Sequence, residues 1–110
     1  MNRRELLIGV PVLAILSLAD GAASAAGART HSIEMQNMRF GPAPANIRVG
    51  DSINWINRDL VAHTATARNR SFDVVIPPGR SATTVVRQPG TIVFYCRYHP
   101  TMGGSLVVAR

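Results

Sequence analysis

The stretch Tyr95-Cys96-Arg97-Tyr98-His99-Pro100-Thr101-Met102, YCRYHPTM, follows directly on Thr91-Ile92-Val93-Phe94. The two pieces read differently. Side chains alternate along a strand, so Ile92, Phe94 and Cys96 share one face. Isoleucine and phenylalanine mark that face as a core face, and Cys96 therefore reaches the end of a strand pointing inward. Beyond it, Pro100 and the pair Gly103-Gly104 favour a tight turn over a helix. A strand, a compact loop and a second strand at 104–109 are predicted around the chain's single cysteine.

The same grammar extends outward. Turn signals stand at Gly41-Pro42-Ala43-Pro44, Val49-Gly50-Asp51, Pro77-Pro78-Gly79 and Gln88-Pro89-Gly90. Between them lie short runs rich in Ile, Val and Thr, which predict strands at 31–38, 45–49, 51–57, 61–67, 72–76, 81–87 and 90–96 in addition to 104–109. Ile53 and Trp55 share a face and anchor the core. No helical periodicity is sustained after the first 25 residues. Seven or eight short strands joined by Pro/Gly turns mean an antiparallel sandwich or barrel.

The chain opens with Arg3-Arg4, an apolar run from Leu6 to Ala19, and the small-residue pattern Ala23-Ser24-Ala25. That is the form of a secretory leader, 1–25, cut near Ala25 or Ala26. The apolar run is shorter than the roughly 20 residues a membrane span needs, and Pro11 interrupts it, so no stable membrane insertion is expected. The arginine pair resembles a twin-arginine signal, which leaves two export routes open. Residues 26–110 then form one small domain. An internal disulfide is ruled out by the lone cysteine, which makes a bound metal the natural additional staple. Ten arginines, four acids and no lysine remain after residue 26. Such a balance suits a soluble surface, and it also suits steering toward an acidic partner. The arginines are spread singly and form no basic helix, which argues against nucleic acid as a partner.

Cys96, His99 and Met102 form a C-x-x-H-x-x-M pattern, and a compact loop can aim all three at one point. Thiolate, imidazole and thioether make a soft nitrogen–sulfur set, which suits copper. A second imidazole is needed, and His63 is the natural candidate because His31 lies in the N-terminal edge. Two histidines, one cysteine and a weak axial methionine are the ligand set of blue-copper electron-transfer sites. Each residue alone has a plainer reading as core or surface. A Cys–His nucleophile lacks a clear orienting acid, with Asp59 only a loose candidate. A structural zinc site would want more thiolates or histidines and would have no use for Met102.

With these residues in view, the sequence resembles the cupredoxins, and among them the amicyanins. The resemblance rests on CRYHPTM at 96–102, on Phe40-Gly41-Pro42, on Ile47-Arg48-Val49-Gly50-Asp51-Ser52-Ile53-Asn54-Trp55-Ile56-Asn57, and on Asp59 with His63-Thr64. It spans roughly 33–109. It implies an antiparallel Greek-key β-sandwich of seven to eight short strands, and one type 1 copper held by His63, Cys96, His99 and Met102. It also implies a periplasmic carrier of single electrons and not an enzyme. Partners would be redox proteins with an acidic or neutral contact surface, met by a monomer. The alternative is a periplasmic copper-delivery protein using the same ligands. Thr64 stands where many cupredoxins have Asn, and Arg97 places a charge beside the cysteine.

Overall fold

The computed structural model describes residues 27–110, so the leader expected at 1–25 lies outside the described residues. Among the described residues nine strands follow in order: β1 (Thr30–Gln36), β2 (Arg39–Phe40), β3 (Ile47–Arg48), β4 (Ser52–Asn57), β5 (His63–Ala67), β6 (Asp73–Ile76), β7 (Ser81–Val85), β8 (Gly90–Tyr95) and β9 (Gly103–Ala109). Each expected strand has a counterpart. The added strand is β2, a two-residue piece that closes a hairpin on β1. No described residue is helical, and no helix among them is long and apolar enough to cross a membrane.

The strands form two sheets, ordered β3-β9-β8-β5-β6 and β2-β1-β4-β7. Most neighbours are antiparallel, but β1 runs parallel to β4 and β3 parallel to β9. The all-β sandwich stands, with mixed pairing. Sheet faces alternate as the pattern requires: Ile33 and Met35 on β1, Ile53 and Trp55 on β4, Ile92 and Phe94 on β8, and Leu106 and Val108 on β9 are buried between the sheets. Burying each large apolar side chain contributes about 1.5–3 kcal/mol against the entropy of ordering the chain.

Aromatic contacts fix the middle of this core. The Phe94 ring meets Trp55 with centroids 5.1 Å apart and Phe40 at 4.8 Å, both edge-on, the arrangement that aromatic quadrupoles favour. Trp55 satisfies its buried ring N–H by donating to Thr84 Oγ1 at 2.9 Å. Across the β8–β9 ladder, Gly104 lies opposite Phe94. A Cβ on Gly104 would come within 2.8 Å of the Phe94 ring, so the second glycine of the pair makes room for the ring that precedes Cys96 by two residues.

A polar fastener ties the edge of the sandwich. Asp51 is 3% exposed. Its carboxylate accepts the Arg29 and Arg48 amides at 2.9 Å each and the His31 Nε2–H at 2.8 Å. Those donors, with the Arg29 amide foremost, hold its pKa down at about 2 against the opposing effect of burial. A depressed carboxyl stabilises the fold above its unfolded pKa and loses that contribution as pH falls toward the folded value. Asp51→Ala is therefore expected to destabilise the domain by about 3 kcal/mol through three unpaired donors. In denaturant unfolding, the wild-type protein should weaken between about pH 4 and pH 2, with a smaller slope in the variant. An equal slope in both would show that Asp51 is not the titrating fastener.

Candidate metal centre

Three elements deliver the side chains. The crossover at 58–62 carries the chain from β4 in one sheet to β5 in the other and sets His63 as the first residue of β5. Buried Asn57 shapes that crossover. Its Nδ2 donates to Val61 O at 2.8 Å and Ile76 O at 3.0 Å, while its Oδ1 accepts the Asp59 amide at 2.9 Å. The 96–102 loop joins β8 to β9 and is folded by its own backbone. Cys96 N–H donates to Met102 O at 3.0 Å, His99 N–H to Cys96 O at 3.3 Å, and Met102 N–H to His99 O at 2.8 Å. Consecutive tight turns bring positions three apart around one point.

Donor atoms of His63, Cys96 and His99 all lie within 4.8 Å of one another. The two Nδ1 atoms are 3.3 Å apart, and Cys96 Sγ stands 3.8 Å from His63 Nδ1 and 3.7 Å from His99 Nδ1. Donors bonded to one ion at about 2.0–2.3 Å would be separated by just such distances. Lone-pair atoms this close repel unless a proton or cation is shared among them. The residues present thus fit a metal ion, and their nitrogen–sulfur character fits copper. Both His63 and Cys96 are fully buried, while His99 is half-buried and forms the side of the cluster nearest solvent. Met102 is buried at the end of the same loop. His31 is elsewhere, bonded to Asp51.

Hydrogen bonds aim the cluster. His63 Nε2 is paired with Asp59 Oδ2 at 2.7 Å; with the proton on that nitrogen, the Nδ1 lone pair faces the sulfur and His99. Asp59 is held in turn by the Asn37 and Met38 amides at 2.8 and 3.0 Å. Those two residues have φ of 56° and 61°, as a two-residue type I′ hairpin loop requires. The His63 bond first, and the Met38 and Asn37 amides after it, lower the Asp59 pKa despite burial. On the sulfur, the Thr64 amide donates at 3.2 Å. Arg97 N–H donates to Thr64 Oγ1 at 2.8 Å, Thr64 and Thr66 hydroxyls lie 2.9 Å apart, and Thr66 Oγ1 donates to Asp73 Oδ1 at 2.7 Å. A carboxylate can only accept, so the chain runs from the Arg97 amide through Thr64 and Thr66 to Asp73. Arg97 closes the ring by placing Nε 3.1 Å from Asp73 Oδ1. Its charge beside the cysteine is thereby partly neutralised.

A family model described as a cupredoxin-like domain matches residues 8–108. The chain belongs to the cupredoxin-like family. This cupredoxin is 22% identical over 82 residues to the amicyanin of Paracoccus denitrificans; the match takes in 69% of this chain, which spans about 63% of that relative's length. Among solved structures, the amicyanin of Paracoccus versutus is similar with a TM-score of 0.60 at 17% identity, covering 72% of this chain and 80% of that one. A purple cupredoxin from Nitrosopumilus maritimus gives 0.63 at 23% identity, covering 72% and 99%. At these identities the neighbours speak for the fold.

The sequence pattern singled out His63, Cys96, His99 and Met102, of which the structure brings the donor atoms of the first three together, but it gave Asp59 little weight as an orienting group. The four-residue spacing from Asp59 to His63 was its signal. Thr66 and Asp73 carried no signal, since their roles depend on which strands adjoin. Removing such an outer partner typically weakens metal binding ten- to a hundredfold. Asp59→Ala is expected to do so in competitive chelator titrations, with the fold retained by circular dichroism. Unchanged affinity would reduce Asp59 to a loop fastener.

Proposed function

We propose that this cupredoxin is a periplasmic single-electron carrier in which His63, Cys96, His99 and Met102 hold one type 1 copper ion. The observation that carries the reading is the convergence of two imidazole Nδ1 atoms on a buried thiol sulfur, with distances that suit one shared ion. Bound copper would supply the chemistry, a one-electron exchange between Cu(I) and Cu(II).

The chain's own residues do the rest. Asp59 holds His63 in the tautomer that offers Nδ1 inward. The Thr64 amide stabilises a thiolate on Cys96 by donating to its sulfur. Burial of Cys96 keeps oxidants and bulk water from that sulfur. Strand β8, clamped to β4 of the facing sheet through Phe94 and Trp55 and paired with β5, restrains the ligands against rearrangement when the charge changes. His99 is the ligand open to solvent, flanked by exposed Tyr98 and Pro100, and an approaching redox protein would meet it first. No substrate bond is made or broken in this reading, and no general acid or base is called for. The leader pattern at 1–25 supports export to the periplasm, and the arginine excess favours a partner with an acidic or neutral contact surface.

Cu(II) added to the purified protein is expected to give an intense visible band from thiolate-to-copper charge transfer. Cys96→Ser should abolish that band, and Met102→Leu should keep it while raising the reduction potential. A colourless protein that binds copper and yields it readily to an acceptor chelator would favour delivery over electron transfer. Full colour in Cys96→Ser would remove the proposed site.

A further inference from the structure

All four acidic residues after position 26 are engaged within the fold: Glu34 with Arg58, Asp51 with His31, Asp59 with His63, and Asp73 with Thr66 and Arg97. None is left for Arg68 or Arg70, which have no acidic partner among the described residues. These two cations nonetheless stand together. With Thr66, Asp73, Tyr95 and Arg97 they line an open groove of about 650 Å³ beside the ends of β5 and β8.

The groove has a built character. Arg68 lies over the Tyr95 ring, its guanidinium carbon 4.2 Å from the ring centroid. Stacking fixes the guanidinium plane and leaves its N–H edges free for a carboxylate. Arg70 sits at φ 67°, left-handed backbone that a non-glycine residue seldom adopts. Its amide closes the turn on Ala67 O at 3.0 Å, and Asn69 Oδ1 accepts the Ser71 amide at 2.9 Å. Asparagine or glycine would occupy position 70 with less strain, yet an arginine is held there, exposed, on the groove. Arg97 adds a third guanidinium, with only its Asp73 contact to offset it.

We propose that this groove docks an acidic segment of a partner protein, with carboxylates seated on Arg68, Arg70 and Arg97. Several separate guanidinium forks around an open trough suit a run of carboxylates better than one small anion. Tyr95 and Arg97 flank Cys96 in sequence, so the docked segment lies against the residues on either side of the sulfur-bearing one. The inference rests on the carrier reading for the partner's redox role, but binding of the acidic segment does not require copper.

The test is a titration of isotope-labelled protein, copper-loaded and metal-free alike, with hexaglutamate peptide followed by amide resonances. Shifts are expected at 66–73 and 95–98, with affinity falling at least tenfold between 20 mM and 500 mM salt, and hexalysine producing none. R68E/R70E should abolish the shifts. R80E/R87E carries the same charge change on exposed arginines outside the groove and should leave most of the binding intact. If R68E/R70E does not fold, R68Q/R70N, with an asparagine suited to the left-handed position, should weaken binding at least fivefold. Shifts scattered over the surface, equal losses in both double variants, or stronger protection of these residues by phosphatidylglycerol vesicles would overturn the proposal. Lost binding with the visible band intact would overturn the groove alone, whereas intact binding without colour would overturn the copper reading alone.

Discussion

The site depends on how β5 and β8 separate. The two strands are paired at Thr66 with Tyr95 and Ala67 with Phe94. One step further, the backbones part and side-chain bonds take over: the Arg97 amide turns to the Thr64 hydroxyl and the Thr64 amide turns to the Cys96 sulfur. A continued ladder would have used up these groups. Because it stops, a pocket opens at the strand ends, bounded by donors with fixed direction. The backbone bonds within 96–102 then fold His99 back to the same opening. Strand divergence, more than any single residue, gives the sulfur its surroundings.

Charge is distributed in two roles. Three of the four carboxylates, Asp51, Asp59 and Asp73, act as fasteners that each accept from more than one residue, and two of them orient histidines. The arginines mostly face outward. The exposed pair of Arg58 with Glu34 is screened by solvent and adds little. The buried, multiply bonded Asp51 and the half-buried Asp59 matter more, because removing Asp51 leaves three part-buried donors unpaired and removing Asp59 leaves the buried His63 Nε2 unpaired. A domain without a disulfide thus replaces covalent cross-links with carboxylates that each bind parts of the chain distant in sequence.

Much of this was legible in the residues. Alternation put Ile92, Phe94 and Cys96 on one inward face, and all three are buried. The loop chemistry of Pro100 and Gly103-Gly104 placed the 96–102 turns correctly. Sheet partners were less accessible. Local periodicity says which face of a strand is apolar but not which strand lies beside it, so the parallel pairings of β1 with β4 and β3 with β9 were invisible. For the same reason the roles of Thr66, Asp73 and the Asn37-Met38 turn emerged only with the structure. The strand β2 was missed because two residues are too few to show alternation.

The position of β9 carries an implication of its own. The final strand in chain order lies inside its sheet, bonded to β8 on one side and to β3 on the other. An interior plank cannot be shortened or displaced without orphaning both neighbours. Truncation after Met102 would therefore unzip the sheet that holds the cysteine strand, even though every proposed ligand would still be encoded. For this molecule, tethers or fluorescent fusions belong anywhere but on a trimmed carboxyl end.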